Sequence, residues 1–430
     1  MTNAPAGPPL ATGYVTPRLQ TAAGYTGGMD VATFDQLVSP AGRAALAAAA
    51  ELRPTEARYP ACFDRLRKLF PPELARAALD TVMLREKARA KFTRAGEMFF
   101  TREALEMASA EPVSRHRAGR FAPFAAVADL CCGVGGDAIG LAAAGRSVVG
   151  VDRDPLRVRM AEANLAAYGL TGRFICGDVL TAELPGCGAA FADPGRRPGG
   201  RRTLSLHESE PPLAALVGRV PRDFPLAVKV APGFPKAELA GFDAEPEFVS
   251  LDGELKECVL WFGPLRVCEV RATVLPGPHT LAGDPDAAAD IGPVAAYLYD
   301  PDPAVTRAGL VGELARRLAA HQIDPRIAFL TSDVLVATPF AMAYRVEEVL
   351  PFQARRIGEW LKARGVGRVA VVKRGSAADA DELMSRWRLR GDGHRAVILT
   401  RAEDKPVAVI GERVETKPGG PISPPGDVGS

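Results

Sequence analysis

The stretch at residues 127–154, VADLCCGVGGDAIGLAAAGRSVVGVDRD, constrains the fold of this chain more than any other. It predicts an apolar strand, a glycine turn, a helix and a second strand at residues 127–130, 133–136, 137–144 and 147–151. This order is typical of a doubly wound α/β sheet, in which the glycine turn lets the backbone approach a ligand and the helix N-terminus offers unpaired N–H groups. We therefore expect a ligand with an adenosine half at this turn.

Four acidic residues lie at or beside the ends of predicted strands: Asp129, Asp152, Asp178 and Asp193. An acid at the position of Asp152 can accept both hydroxyls of a ribose. Asp129 precedes the glycines, where it can meet the ammonium of a methionine moiety, and Asp178 can accept the adenine amino group. Asp193 follows the strand AAFA, at the place where class I methyltransferases hold their target. The alternative is that each acid caps a helix.

The four acids decide between two cofactors, because GVGGDA also satisfies the G-x-G-x-x-G/A pattern of dinucleotide enzymes. A carboxylate at Asp129 would lie close to a pyrophosphate, whereas it suits a methionine ammonium. The pattern therefore favours S-adenosyl-L-methionine. The predicted cofactor contacts are Asp129, Cys131, Gly133, Gly135, Gly136, Asp152, Asp178 and Val179.

Composition describes an ordinary chain of 430 residues, with a formal net charge of +2 and 47% hydrophobic residues. This length allows roughly two to four domains. The seven cysteines form no CxxC pair, so neither a metal site nor a disulfide framework is expected. Cys131 and Cys132 are interpreted as small residues in a tight turn, with a catalytic thiol as the alternative. No signal peptide or membrane span is predicted, so we expect a cytoplasmic location.

Composition shifts divide the chain into five predicted parts. They are a disordered extension at 1–28, a helical domain at 29–120, an α/β domain with the glycine turn at 121–280, an α+β module at 293–415 and a disordered tail at 416–430. Residues 279–292, rich in Gly, Asp and Ala, are predicted to be a linker, and 304–320 a single amphipathic helix. We also expect Met29 to be the natural start.

The segment before the first strand leaves two questions open. Residues 98–100 (Met-Phe-Phe) pack in the core or form a wall of the adenosine pocket. Residues 53–120 hold fifteen Lys or Arg against nine Asp or Glu, which indicates either a solvated helical face or a surface for a polyanion.

The predicted acceptor side begins at Asp193 and continues through Pro194 to Arg196 and Arg197. A common class of amino-group methyltransferases has an aromatic residue two places after the Asp-Pro, where this chain has Arg196. Adenine N6 or glutamine is therefore not assumed as the acceptor. The arginines can pair with phosphate or stack on a base, or they belong to a solvated loop.

Further along the chain, Lys229 interrupts the apolar strand PLAVKVAPG. Its tip faces the pocket or reaches solvent along its own stem. Glu254, Lys256 and Glu257 line the substrate side or belong to a hairpin turn. Residues 352–401 carry twelve Lys or Arg against five Asp or Glu, a local excess that fits a polyanion partner.

The helical lead-in, DLCCGVGGDAIGLA, VDRDP and FICGD together resemble a bacterial family of class I S-adenosylmethionine-dependent methyltransferases with a C-terminal THUMP-like domain. The resemblance covers residues 29–413. It implies a Rossmann-like core, a ferredoxin-like α+β module, and roles for Asp129 and the three glycines with methionine, Asp152 with ribose and Asp178 with adenine. THUMP-like domains resemble the RNA-binding modules of RNA-modifying enzymes, so RNA is the expected partner.

The same motifs resemble the eukaryotic RNA cap trimethylguanosine synthase over residues 100–200. That enzyme has a serine, two prolines and a tryptophan where this chain has Asp193, Pro194, Gly195 and Arg196, so cap-guanine chemistry is not carried over.

Three functions follow from the sequence. The first is an RNA methyltransferase working by direct in-line transfer, with Asp193, Pro194 and Arg196 as the acceptor-positioning residues. The second is a catalytically silent RNA-binding protein with the same fold, and the third a NAD-dependent oxidoreductase.

Overall fold

The computed structural model describes residues 29–195, 203–375 and 378–414. Within these residues the chain forms two β-sheets, of nine and seven strands, with helices packed against both. The helices are α1 Val31–Val38, α2 Pro40–Glu51, α3 Tyr59–Leu66, α4 Pro72–Ala88, α5 Arg102–Met107, α6 Glu111–Gly119, α7 Gly136–Ala143, α8 Pro155–Ala167, α9 Leu213–Gly218, α10 Pro303–Ala308, α11 Val311–Leu318, α12 Ala354–Ala363 and α13 Ala380–Trp387.

The strands of the first sheet are β1 Ala126–Leu130, β2 Ser147–Asp152, β3 Arg173–Cys176, β4 Ala189–Ala192, β5 Leu226–Val230, β6 Glu245–Leu251, β7 Glu254–Phe262, β8 Val270–Leu275 and β9 His279–Gly283. Their spatial order is β3-β2-β1-β4-β5-β7-β6-β8-β9. The first five are parallel, and β7 pairs antiparallel with β5 and β6. The carboxyl ends of β1 to β5 therefore meet at one edge, on either side of the point where the strand order reverses at β1.

The N-terminal helices begin at sequence signals and pack on the first sheet. Asp30 caps α1 through the Thr33 N–H (2.8 Å), and Ser39 caps α2 ahead of Pro40. Their apolar faces join those of α7, α8 and the sheet in one buried cluster, in which Phe34 meets Phe99 edge to face. Residues 98–100 are buried in this cluster, so of the two interpretations of this segment core packing is the correct one.

The second sheet contains β10 Tyr297–Pro301, β11 His321–Asp324, β12 Ile327–Ser332, β13 Ala341–Pro351, β14 Val366–Lys373, β15 Gly393–Ala402 and β16 Lys405–Val414. Its order is β11-β12-β10-β13-β16-β15-β14, with α12 and α13 packed on one face. The mixed α/β architecture predicted from the sequence is confirmed.

Two predicted elements are wrong. Residues 279–283, expected in a linker, form the edge strand β9, which pairs antiparallel with β8 through the cross-strand contact of Thr273 with Thr280. The single helix expected at 304–320 is two helices, because Gly309 adopts a left-handed conformation (φ +85°) and ends α10. Helix α10 then packs on β6 and β8 of the first sheet.

The two sheets share a second buried cluster. Tyr299 of β10 and Leu330 of β12 belong to it together with Phe234, Phe248 of β6 and Leu260 of β7. The predicted extension at 1–28, the tail at 416–430 and the residues Arg196 and Arg197 lie outside the described residues. Among the described helices, none is both long and apolar enough to span a bilayer.

Candidate functional site

A cavity of about 460 Å³ opens at the carboxyl edge of the first sheet. Its walls come from the loops after β1, β2, β3 and β4 and from helix α5. The lining residues include Ala104, Met107, Ala108, Cys131, Cys132, Gly133, Val134, Gly136, Asp137, Asp152, Arg153, Arg157, Gly177, Asp178, Val179, Leu180, Asp193, Gly195, Glu210, Pro211 and Pro212. This volume falls within the usual range for small-molecule and cofactor sites.

The glycine turn after β1 shapes one wall. Gly133 and Gly135 have φ of +53° and +81°, a backbone region that residues with a Cβ rarely adopt. A Cβ at Gly135 would lie 3.2 Å from the Cα of Ala161 in α8, so glycine also permits close packing of α7 against α8. Gly135 is the N-cap of α7 and makes no side-chain cap, which leaves the first N–H groups of this helix available at the cavity.

Asp152 ends β2 and helps to fix the turn. Its carboxylate accepts the Gly133 N–H (2.9 Å) and the Asp154 N–H (3.0 Å) and lines the cavity. Asp178 is exposed after β3, and one of its oxygens accepts the Leu180 N–H (2.9 Å). Each acid thus has lone pairs left for a ligand, since an ionised carboxylate accepts about four hydrogen bonds.

Asp129 is fully buried in β1, and neither of its oxygens has a well-aligned hydrogen-bond partner among the described residues. Burial and the neighbouring charge of Asp137 raise its pKa well above the usual range, although Arg117 and the Ala138 N–H partly oppose this. A buried carboxylate without a partner is costly. A cationic group placed against it would therefore be stabilised, and the methionine ammonium of S-adenosylmethionine is such a group.

A charged cluster lies behind this wall. The Arg117 guanidinium of α6 donates to Asp137 at the start of α7 and to Glu257 of β7 (2.8 Å), and it packs 4.3 Å from the Phe191 ring centroid. Burial raises the pKa of Glu257 despite Arg117 and Lys229. The cluster unites groups more than 100 residues apart and fixes α6 against the sheet.

Asp193 follows β4 and faces the cavity. Its Oδ2 accepts a hydrogen bond from the Lys229 Nζ (2.7 Å), and its N–H donates to the Leu130 carbonyl (3.0 Å). Pro194 is buried behind it. The segment then pairs with Glu210, since Gly195 and Glu210 exchange two backbone hydrogen bonds of 2.8 Å. Arg153, after β2, forms an ion pair with Glu210 (2.5 Å) at the cavity.

The predicted site residues fall into three groups. Cys131, Gly133, Gly136, Asp152, Asp178, Val179 and Asp193 line the cavity. Asp129, Gly135 and Pro194 lie buried behind its wall. Arg196 lies outside the described residues. Helix α5, which Thr101 caps through the Ala104 N–H (3.1 Å), forms a wall that the sequence did not identify.

The cysteines of the turn are poor nucleophiles. Burial, with the charges of nearby aspartates, raises the pKa of both the Cys131 and Cys132 thiols. Their thiolates are therefore disfavoured, in agreement with small residues in a turn. Among the described residues, no group of three or more His, Cys, Asp or Glu could hold a metal ion.

The strand order and the ligand site at the carboxyl edge define a class I methyltransferase. Residues 127–192 match a methyltransferase domain family, residues 341–413 a family described as THUMP domain-like, and residues 30–88 a domain of unknown function. Two strains of Mycobacterium tuberculosis carry an uncharacterized S-adenosylmethionine-dependent methyltransferase that is 36% identical over 333 residues, covering 75% of this chain and 92% of the relative. The chain belongs to this family of S-adenosylmethionine-dependent methyltransferases.

A solved structure has the same fold. The crystal structure of a Porphyromonas gingivalis W83 protein assigned as a methyltransferase superimposes with a TM-score of 0.71 at 20% identity, and the match covers 87% of this chain and 99% of that one. Membership of the S-adenosylmethionine-dependent methyltransferase family identifies the cofactor as S-adenosyl-L-methionine.

Proposed function

We propose that this protein methylates RNA, with Asp129, Cys131, the three glycines, Asp152, Asp178 and Val179 holding the cofactor and Asp193 and Pro194 positioning the acceptor. Arg196 belongs to the proposed acceptor loop. The observation that carries the site assignment is the arrangement of Asp129, Asp152, Asp178 and Asp193 at one edge of the sheet, three of them in the cavity wall and the first directly behind it.

When bound, S-adenosylmethionine supplies a methyl group activated by its sulfonium. The chain then has to orient the acceptor and exclude water. Asp129 offers a negative charge to the ammonium, and Asp152 offers free lone pairs to the ribose. Helix α5 and the segment around Pro211 enclose the cavity.

Support for an RNA acceptor comes from the charge on the C-terminal module, whose sequence matches a THUMP-like family. Some basic residues there are neutralised locally: Arg355 pairs with Glu359, and Arg386 with Glu382. Others are exposed and form no ion pair with any described residue: Arg356, Lys362, Arg364, Arg368, Arg388 and Arg390. Two of them lie on α12, Arg364 directly follows that helix, Arg368 lies on β14 and the last two follow α13; we call this set the basic surface.

An aromatic ring lies within the basic surface. Trp360 of α12 is half-buried, and the Arg364 guanidinium lies 3.9 Å from its ring centroid. Single-stranded nucleic acid binds to cations through its phosphates and stacks its bases on aromatic rings, and the basic surface combines unpaired cations with a partly accessible ring.

The proposal is tested by incubating the purified protein with isotope-labelled S-adenosylmethionine and total RNA from cells that lack it, and then analysing the nucleosides by mass spectrometry. We expect label in one methylated nucleoside that is absent from the RNA of the deletion strain. Transfer to protein or to small molecules instead of RNA would contradict the RNA assignment. Calorimetric binding of S-adenosylhomocysteine without transfer to any acceptor would favour the silent RNA-binding protein.

A further inference from the structure

Lys229 is a buried cation in the middle of the first sheet. It belongs to β5, all of whose residues are buried, and lies opposite Val259 of β7. Its side chain is 4% exposed, so it does not reach solvent along its stem. Burying an ammonium is costly unless its charge is paired. Its position therefore requires specific partners.

Those partners fix the ammonium from two sides. The Nζ of Lys229 donates to Asp193 Oδ2 at 2.7 Å and to the Ser109 Oγ at 3.0 Å. Ser109 also accepts from Arg117 (3.2 Å) and donates to Asp137 (3.3 Å). A hydroxyl has one proton and two acceptor lone pairs, so Ser109 has its full set of partners and can hold Lys229 in one orientation only.

The two oxygens of the Asp193 carboxylate consequently have different surroundings. Oδ2 is bound to Lys229, while Oδ1 has no hydrogen-bond partner among the described residues, and Asp193 lines the cavity. The side chain is 17% exposed, which leaves room for a ligand atom. An ionised carboxylate only accepts hydrogen bonds, so the group that meets Oδ1 must carry a proton.

We propose that Lys229 is a positioning residue for methyl transfer, which turns one oxygen of Asp193 to an acceptor nitrogen or oxygen bearing a proton. This inference rests on the proposed role of Asp193 in the function above. It restricts the substrate to acceptors with an N–H or O–H group at the reacting atom, such as amines and hydroxyls, and it excludes acceptors that lack one. The high thiol pKa values of Cys131 and Cys132 also disfavour the covalent activation that a pyrimidine carbon requires.

The acceptor nitrogen or oxygen forms the new bond to the methyl carbon while the carbon–sulfur bond breaks and its electron pair stays on sulfur. The proton lost by the acceptor passes to Asp193 and then to solvent. Lys229 keeps its protons throughout and does not touch the reacting atoms.

The test compares Lys229→Met and Lys229→Arg with the wild-type protein. In the RNA transfer assay we expect Lys229→Met to lower kcat at least about thirtyfold with KM for RNA changed less than about threefold, because alignment is lost and substrate affinity is not. Lys229→Arg, which retains a cationic donor, should recover a measurable part of kcat. The dissociation constant of S-adenosylhomocysteine, measured by calorimetry, should stay within about threefold of wild type in both variants.

A matched control is Lys256→Met. Lys256 lies on the neighbouring β7, is more exposed and pairs with Glu254, so its removal should leave kcat unchanged. A Lys229→Met enzyme with wild-type kcat would overturn the proposal. So would equal loss of cofactor binding and turnover in both Lys229 variants, which would indicate a purely structural role. A labelled nucleoside methylated at carbon would contradict the restriction to N–H and O–H acceptors.

A second measurement separates this inference from the proposed function. Crystals of the wild type and of Lys229→Met, each with S-adenosylhomocysteine, should differ in the side-chain rotamer of Asp193. An unchanged rotamer would overturn the positioning role even if RNA is the substrate, and a changed rotamer supports it even if RNA is not. If Lys229→Met does not fold, Ser109→Ala serves in its place, with the same expected change at Asp193 and a kcat lowered by about three- to tenfold.

Discussion

Two carboxylates at the same sheet edge have opposite environments. Asp129 is fully buried without a well-aligned hydrogen-bond partner among the described residues, whereas Asp193 faces the cavity and is bound to a lysine. Environments that differ this much separate the roles of chemically identical groups. The first is suited to bind a cation on the cofactor, and the second to receive a donor on the substrate.

This difference predicts that cofactor binding releases protons. Because burial and Asp137 raise the pKa of Asp129, its carboxyl keeps a proton at pH values where an exposed aspartate has lost it. An ammonium ligand favours the ionised form, so affinity should rise as pH increases through that pKa. Calorimetry of S-adenosylhomocysteine in buffers of different ionisation enthalpy, between about pH 5 and pH 8, measures the released protons. Asp129→Asn should abolish the release.

The second carboxylate gives a prediction for turnover. Asp193→Ala should lower methyl transfer at least about tenfold, equivalent to roughly 1.4 kcal/mol of barrier. Binding of S-adenosylhomocysteine should stay nearly intact, because the residue lies on the acceptor side of the cavity. Rapid-quench turnover and calorimetry on the same preparation measure both. Unchanged turnover would remove Asp193 from the mechanism.

Among single residues, the sequence could predict the site residues that lie at the ends of strands. The acids that follow apolar strands and the glycines of the turn could be located from local pattern alone. Ser109 and Arg117 could not, because the contacts that join them to Asp137 and Lys229 connect distant segments. Glu257 was singled out, but neither of its two interpretations included the ion pair with Arg117. Arg117 looked like one more basic residue on a helical face, and only its burial distinguishes it.

At the scale of elements, α6 is attached to the sheet by ion pairs as well as by apolar contacts. Arg120, just after α6, and Arg271 of β8 both donate to Glu245 of β6. Burial raises the pKa of Glu245, but these bonds and the Val267 N–H outweigh that effect and lower it to about 2. The helical region and the far half of the sheet are therefore coupled.

Glu245→Gln should reduce the free energy of unfolding at pH 7 by about 3 kcal/mol. A carboxyl whose pKa is lower in the folded than in the unfolded state stabilises the fold at pH values above its unfolded-state pKa. That contribution is fully present above pH 4.5 and is lost as pH falls toward 2. The difference between variant and wild type in urea unfolding should therefore shrink between these values. Glu254→Gln, at an exposed hairpin, should give no measurable change; a constant difference across the pH range would contradict the expectation.

The errors in predicted elements have local causes. Strand β9 has the sequence HTLAG, in which Leu281 alone is fully buried and no apolar alternation is present. Its pairing with β8 supplies the stability that its own pattern lacks. The helix expected at 304–320 had an uninterrupted apolar period, and Gly309 ends it by a conformation that the periodicity does not report.

At the scale of the whole molecule, the basic surface and the cavity lie on different sheets. If RNA binds both, neutralising the surface should weaken binding without changing the chemistry. We expect Arg364→Ala combined with Arg368→Ala to lower RNA affinity and to reduce the slope of log affinity against log salt by about 0.7 for each phosphate that the variant no longer binds. Fluorescence anisotropy measures this. The control is Arg355→Ala, since Arg355 is already paired with Glu359 and its removal should leave the slope unchanged.

The core that both sheets share has a consequence for substrate choice. Tyr299 and Leu330 pack in the same apolar cluster as Phe248, and Arg307 at the end of α10 donates to the Pro232 carbonyl after β5. A module attached in this way cannot swing toward its target as a tethered one does. The distance between the basic surface and the cavity is thus fixed by the fold. It would restrict methylation to acceptors that lie at the matching distance from the RNA segment bound at the basic surface.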